Sequence, residues 1–159
     1  MGCSSERGDR LVHMFAPGER EHWRWVGGVW ERRSGHGSPL RLRVGRSRIE
    51  GAGNGLFACL DMEDGQPLGR MHGLVVFQGS EDACADWAIA RCERYSVLLP
   101  FAGAHAVVDV RGTVFALMNH SAADANVHVR PSDGVVELCA DVAAGGELLW
   151  DYGDLFGFE

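Results

Sequence analysis

The sequence predicts a mainly β domain with little helix. Three observations support this fold class. Short apolar runs recur along the chain between turn residues, 22 of the 159 residues are glycine, and one stretch alone carries a clear helix start signal. Many short strands separated by glycine-rich turns are typical of β domains. At this length, one domain can bury a core without disulfides or metals.

The predicted organisation divides the chain at residue 40. Residues 1–40 are expected to form an N-terminal extension, in which residues 1–20 are polar and predict a flexible leader. Residues 41–159 are expected to form the folded domain. Residues 1–48 hold ten arginines against five acids, whereas residues 49–159 hold five arginines against seventeen acids. An acidic surface steers basic peptides towards it, although a merely solvated acidic surface is equally consistent with these counts.

The extension is rich in tryptophan after its polar leader. The alternation of Trp23 and Trp25 predicts one face of a strand, and Trp30 follows a pair of glycines. Turn residues at 27–28 and 34–39 indicate a hairpin packed against the domain. We expect the three tryptophans to be buried in that contact. An aromatic surface that binds a peptide is the alternative.

The folded domain is predicted as a series of short strands with one helix. Alternation of Leu40, Leu42 and Val44 with arginines predicts a half-buried strand. Ser80, followed by two acidic residues, predicts a helix start. The helix face expected against the domain consists of Ala83, Trp87, Ala90 and Arg91. Further strands are predicted at residues 74–77, 95–99, 106–110, 113–117, 127–129, 135–138 and 147–150.

Composition argues against several functional classes. No apolar run approaches the ~20 residues that span a bilayer, and the first residues contain no apolar signal-peptide core. We therefore predict an intracellular protein without a membrane partner. The five cysteines include no Cys-x-x-Cys pair, so neither a zinc site nor a disulfide framework is predicted. Direct binding of nucleic acid is not expected.

Three motifs in a fixed order carry the functional signal. Residues 53–57 (Gly-Asn-Gly-Leu-Phe) follow a predicted strand, residues 119–121 are Asn-His-Ser, and residues 147–153 are Glu-Leu-Leu-Trp-Asp-Tyr-Gly. Each motif alone is common, since Asn and Ser are ordinary turn residues. Glycines let the backbone approach a ligand closely, but this run lacks the third glycine of a dinucleotide-binding fingerprint. Their order and spacing together make the pattern specific.

From about residue 41 to residue 152, the chain resembles the SET domain, the fold of S-adenosylmethionine-dependent protein lysine methyltransferases. The resemblance implies a β-clip of several small sheets with a C-terminal pseudoknot. It implies that Gly53, Asn54 and Gly55 cradle the methionine part of S-adenosylmethionine. Asn119 and His120 would hold the methionine amine and the adenine region.

The resemblance also assigns a catalytic residue and two aromatic candidates. Tyr152 falls on the family's catalytic tyrosine, which would orient the methyl group and the incoming nitrogen and help to carry the proton away. Tyr95 lies where some members place an aromatic residue near the cofactor, and Phe156, followed by Phe158, would cover the adenine. A core position for Tyr95 and a chain-end anchor for Phe156 are the alternatives. No metal is required, and we expect a small stand-alone member without a cysteine-rich segment.

The predicted lysine channel departs from the family pattern at three positions. Met71 stands where a tyrosine is usual, and Val129 stands where a second tyrosine occurs when present. Trp150 replaces a Phe or Tyr that sets the room for methyl groups. Because tryptophan is bulkier, we predict that mono-methylation dominates if Trp150 points into the channel.

The sequence thus predicts a lysine methyltransferase that acts on a basic protein, such as a histone tail. The alternative is a degenerate domain that binds cofactor or peptide without significant turnover. A third possibility is a non-histone substrate recognised by the tryptophan-rich segment. A histone substrate would imply a nuclear location, and another substrate a cytoplasmic one. The oligomeric state is left open by the sequence.

Overall fold

The computed structural model describes residues 11–12, 23–32, 40–91, 95–101, 103–130 and 132–153. Most of the predicted leader lies outside these residues, as do Phe156 and Phe158. The described part contains three small sheets, one α-helix (α1, Glu81–Arg91) and one 3₁₀ helix (Val114–Leu117). The predicted mainly β fold class is confirmed. Neither of these two helices is long and apolar enough to cross a membrane.

The strands are short and are separated by turns, as the glycine content predicts. In chain order they are β1 (Leu11–Val12), β2 (Trp23–Val26), β3 (Val29–Arg32), β4 (Leu40–Arg46), β5 (Asn54–Ala58), β6 (Pro67–Arg70), β7 (Gly73–Gly79), β8 (Ser96–Phe101), β9 (Ala104–Asp109), β10 (Asn119–His120), β11 (Val127–Val129), β12 (Val135–Leu138) and β13 (Leu149–Trp150).

The tryptophan-rich segment is a hairpin that extends the sheet of the glycine motif. The sheet has the antiparallel order β2-β3-β4-β5. Gly27 and Gly28 connect β2 to β3 with φ angles of 57° and 86°. A two-residue hairpin turn of this type needs positive φ at both positions, which glycine adopts without steric cost. The hairpin therefore lies beside β4 and β5.

The C-terminal strand β13 lies between two strands that are neighbours in the sequence. The order of its sheet is β10-β13-β11-β12-β6, and β13 runs parallel to both β10 and β11. Residues 121–126 connect β10 to β11, and β13 inserts between these two strands. This crossing corresponds to the pseudoknot that the SET resemblance implies.

The third sheet has the order β1-β7-β9-β8 and carries α1 on one side. The Ser80 hydroxyl accepts a hydrogen bond from the Ala83 amide (3.2 Å), which caps the helix as the sequence predicts. The predicted helix face is only partly correct. Cys84 and Ala88 are the buried residues and pack with Val107 of β9, whereas Ala90 and Arg91 are exposed.

One apolar core joins the three sheets. Leu42 and Leu56 contribute from the first sheet, Val108 from the sheet that carries α1, and Leu68 and Leu148 from the remaining segments, all with 0% exposure. Burying such a side chain contributes roughly 1.5–3 kcal/mol relative to leaving it in water. The core therefore fixes the segments that carry the three motifs relative to one another.

Two local expectations are wrong. Residues 113–117 were expected as a strand, but Val114–Leu117 form a 3₁₀ helix after Gly112, whose φ is 79°. The tryptophans are also not all buried. Trp23 is partly buried and packs edge-on against Phe115, with 6.0 Å between the ring centroids. Trp25 is 53% exposed and contacts the ring of Trp30.

Candidate functional site

The glycine motif and the C-terminal motif meet although they lie about 90 residues apart. Strand β5 packs against residues 145–148 through the Ala58 amide bonded to the Gly146 carbonyl (2.9 Å) and the Leu148 amide bonded to the Leu56 carbonyl (2.7 Å). Phe57 and Glu147 form the β-bridge between these bonds. The backbone of the first motif is therefore hydrogen-bonded directly to the segment that carries the third motif.

The buried carboxylate of Glu147 connects the segments of the site. It accepts hydrogen bonds from the Ser47 hydroxyl (2.6 Å), the Arg48 amide (2.9 Å) and Asn119 Nδ2 (3.2 Å), and it is 5% exposed. A buried carboxylate is tolerated when several donors face it, and such charge-assisted bonds are stronger than neutral ones. Glu147 thus fixes the loop before the glycine motif and the first residue of Asn-His-Ser.

The two glycines of the motif have different local requirements. Gly53 has a φ of 75°, and a Cβ built there would meet no atom within 4 Å. Gly55 has no positive φ, but a Cβ there would lie 2.3 Å from Glu147 Oε1. Gly53 therefore leaves its backbone open to a ligand, whereas Gly55 is needed for the close approach of Glu147.

Asn119 faces the glycine motif. Its Nδ2 donates to the Asn54 carbonyl (2.9 Å) as well as to Glu147, so both bonds fix the orientation of the carboxamide. No hydrogen bond to its acceptor Oδ1 is present among the described residues. Such an arrangement offers a carbonyl oxygen to a cationic or N–H donor beside the open backbone of Gly53.

His120, the next residue, faces the opposite side and supports Tyr152. His120 Nδ1 accepts a hydrogen bond from the Tyr152 amide (3.0 Å), and the two rings lie 5.1 Å apart. An accepting Nδ1 carries no proton, which places the proton of the neutral ring on Nε2. The parallel pairing of His120 with Trp150 sets this contact.

Tyr152 lies on a small open cleft. Tyr95, Met71 and Trp150 line the same cleft. The Trp150 ring meets the Tyr152 ring edge-on at 5.0 Å. The other lining residues are Ser96, Val97, Val110, Phe115, Ala116 and Met118. The cleft is therefore mainly apolar, with hydroxyl groups from two tyrosines and one serine.

The Tyr152 hydroxyl donates a hydrogen bond to the Met118 carbonyl (2.5 Å). Burial, and then the neighbouring Tyr95, raise the pKa of Tyr152 to about 12. A phenol with that pKa remains protonated at neutral pH. Tyr152 can therefore orient a reacting group through its hydroxyl oxygen, but it does not act as a phenolate base near pH 7.

The structure brings most of the sequence-predicted residues into two adjoining groups. Gly53, Asn54, Gly55 and Asn119 form one group, and His120 links it to the cleft that holds Tyr152, Trp150 and Met71. Tyr95 lies on this cleft. Val129 does not line it, because it pairs with Val136 and packs against the core. Phe156 lies outside the described residues.

Two residues that organise the site were given no role from the sequence. Asn126 donates to the Glu147 carbonyl (2.8 Å) and accepts from the Leu149 amide (2.9 Å), so its side chain holds the start of β13. Glu147 belongs to the third motif, but its local sequence assigns it no role. An acidic residue within an apolar run was the available signal, since a charge there needs donors when it is buried.

Comparison with known proteins identifies the family. The SET domain model matches residues 53–153, which is more than half of the chain. The chain therefore belongs to the SET domain family. The comparison with curated proteins gave no match.

Solved structures of ctPRC2, the Polycomb Repressive Complex 2 of Chaetomium thermophilum, are similar to this chain. An apo form with two mutations in Ezh2 is 27% identical, with a TM-score of 0.53, over 72% of this chain and 15% of that one. A humanized mutant bound to an inhibitor is 25% identical, with a TM-score of 0.54, over 74% and 15%. An autoinhibited conformation bound to S-adenosylmethionine is 25% identical, with a TM-score of 0.50, over 74% and 16%. This chain thus spans about a sixth of the length of these relatives.

The residues present fit S-adenosylmethionine, which SET methyltransferases use. The methionine end of that cofactor carries an ammonium and a carboxylate. The oriented Oδ1 of Asn119 can accept from the ammonium, and the open backbone at Gly53 admits close approach. Both features belong to the part of the site that adjoins the Tyr152 cleft.

Proposed function

We propose that this protein is an S-adenosylmethionine-dependent protein-lysine N-methyltransferase that acts on a basic protein such as a histone. The observation that carries the proposal is the cleft of Tyr152, Tyr95 and Trp150 next to the group formed by Gly53 and Asn119. A lysine side chain is a long apolar stem with an amine at its end. A mainly apolar cleft with hydroxyls suits that shape and chemistry.

Gly53, Asn54, Gly55, Asn119 and His120 are proposed to hold the cofactor. When bound, S-adenosylmethionine supplies an electrophilic methyl group on its sulfonium. The protein contributes by aligning the amine with that methyl group. Positioning of this kind supplies up to ~7–11 kcal/mol of barrier reduction. Tyr95 is better suited to the substrate cleft than to the cofactor, because it lines the same cleft as Trp150.

The lysine must lose a proton before its nitrogen can attack, since free lysine has a pKa near ~10.4. Tyr152 remains a neutral phenol, so its oxygen can accept an N–H from the amine and orient it. The proton itself passes to water at the open mouth of the cleft rather than to a phenolate. Tyr152 is therefore proposed as the catalytic residue through positioning.

Substrate choice and product are proposed from charge and from cleft size. Residues 49–159 carry five arginines against seventeen acids, which favours encounter with a basic substrate. Trp150 lines the cleft with its ring beside Tyr152, which leaves less room for added methyl groups. We expect mono-methyl-lysine as the main product. A histone substrate would require a nuclear location.

The tryptophan hairpin supports a non-histone substrate as a second possibility. Trp25 is 53% exposed and Val26 is 55% exposed at the tip of β2. Exposed large apolar residues of this kind are common in protein contacts. Replacing the exposed Trp25 and Val26 by serine tests it without removing strands β2 and β3, because label on histones would persist while label on such a partner would be lost.

The decisive experiment is a radiolabelled methyl-transfer assay with S-adenosylmethionine, mixed core histones and a cell lysate. Wild type is compared with Tyr152→Phe, which keeps the ring and removes the hydroxyl. We expect label on lysine in the wild type and a loss of about 100-fold in the variant, because the amine is no longer held in the reacting orientation. Cofactor binding measured by calorimetry without any labelled substrate would instead identify a binding domain without turnover.

A further inference from the structure

Ser96, the first residue of β8, carries an unpaired buried hydroxyl. Its Oγ and Trp23 Nε1 are the buried side-chain polar atoms without a hydrogen-bond partner among the residues that the structure describes. Ser96 is 5% exposed and lines the cleft together with Tyr152 and Trp150. Ser96 is therefore a residue of the cleft wall whose buried hydroxyl has no hydrogen-bond partner among the described residues.

Such a group is unusual in a folded domain. Buried polar side chains nearly always have a partner, and exceptions often serve binding or catalysis. An alanine at this position would remove the desolvation cost without leaving an unpaired atom. A serine here therefore reduces stability unless a ligand in the cleft supplies the missing partner.

Met71 and Tyr152 leave this role open. Met71, where the SET resemblance leads us to expect a tyrosine, has a thioether and is 1% exposed. The Tyr152 hydroxyl donates its hydrogen bond to the Met118 carbonyl, so its O–H is already engaged. A lysine amine in the cleft carries two N–H groups and needs acceptors for them, and a serine hydroxyl has lone pairs available.

We propose that Ser96 is a substrate-binding residue whose Oγ accepts an N–H of the lysine amine. It takes the place of the hydroxyl that Met71 lacks. This inference rests on the proposed methyltransferase function and adds one specific contact to it. The contact would hold the amine in the orientation that Tyr152 also favours, so that the nitrogen lone pair faces the methyl group.

The test compares Ser96→Ala with wild type in three measurements. These are methyl transfer to core histones and lysate proteins, cofactor affinity by calorimetry, and thermal unfolding. We expect kcat/KM for the protein substrate to fall about tenfold, as loss of one good hydrogen bond would give. Cofactor affinity should stay within about twofold of wild type, a change too small to reflect a lost hydrogen bond. The melting temperature should be unchanged or higher.

Ser80→Ala is the matched control, because it removes a serine hydroxyl that caps α1 and does not line the cleft. It should lower the melting temperature and leave methyl transfer unchanged. If Ser96→Ala transfers methyl groups as fast as wild type, the Ser96 contact is wrong while the methyltransferase function stands. A parallel loss of stability and rate in Ser96→Ala would make the role structural and would also overturn it. If wild type labels nothing, the proposed function fails, and this inference fails with it.

Discussion

Replacing Gly55 by alanine tests how the first and third motifs are joined. The added Cβ would lie 2.3 Å from Glu147 Oε1, 3.0 Å from Glu147 Cδ and 3.3 Å from Asn119 Nδ2. Real Cβ atoms do not approach so closely, so the carboxylate has to move. Because Gly55 has no positive φ, the alanine adds no backbone strain, and the effect comes from the contact alone.

The magnitude follows from the bonds that Glu147 makes. Displacement weakens its bonds from Ser47, Arg48 and Asn119, which leaves a buried carboxylate short of donors. Losing one such partner costs about 1–3 kcal/mol. For a chain of this length, that lowers the melting temperature by about 2–4 °C per kcal/mol. Asn119 would keep only its bond to the Asn54 carbonyl, so its carboxamide would be held less firmly, and we expect the affinity for S-adenosylmethionine to fall about tenfold.

Calorimetry of cofactor binding and denaturant unfolding measure these two effects. Gly51→Ala is the control, because Gly51 has a φ of 77° and open space around a built Cβ. It should cost about 1–2 kcal/mol through backbone strain alone and leave cofactor affinity unchanged. In a Glu147→Ala background, the Gly55→Ala change should cost much less than it does in the wild type. A Gly55→Ala protein with wild-type stability and cofactor affinity would refute the close approach.

Three further predictions concern the cleft and its surroundings. The chain has two tyrosines, so an ultraviolet titration of wild type minus Tyr152→Phe isolates Tyr152, and we expect its phenolate to appear only well above pH ~10. Because the pKa of Tyr152 is raised in the folded protein, its contribution to the free energy of unfolding is complete below pH ~10 and is lost as the pH rises towards 12. Ionisation of Tyr152 near pH 8 would contradict this. Trp150→Phe should shift the products from mono- to di- and trimethyl-lysine, measured by mass spectrometry, because the smaller ring leaves more room for methyl groups. An unchanged product ratio would show that Trp150 does not limit the space in the lysine channel. The hydrogen bond from Arg111, together with its positive charge, lowers the pKa of Asp109. Asp109→Asn should therefore reduce the free energy of unfolding by less than about 1 kcal/mol at pH 7, and by progressively less as the pH falls below 3.8. An equal reduction at pH 3 would contradict the pairing.

The motifs that identify the family were readable in the sequence. Each motif is a continuous run of residues, so it can be recognised without knowledge of the fold. The three runs, at residues 53–57, 119–121 and 147–153, predict the SET domain. Apolar alternation also placed the strands at 127–129 and 135–138 within the bounds that the structure gives. These features depend on neighbours in the chain, which a single sequence contains.

Long-range contacts decided the rest. The role of Glu147 depends on Ser47, 100 residues away, and on Asn119, so no local pattern could predict which donors would reach it. The exposure of Trp25 was decided by the edge position of β2, which leaves the hairpin tip without a covering layer. The unpaired hydroxyl of Ser96 is likewise invisible in a strand sequence, because it depends on what packs around the cleft. The sequence alone determined which chemical groups the domain carries, whereas the tertiary structure decided which of them meet, since side-chain contacts arise from packing between segments distant in the chain.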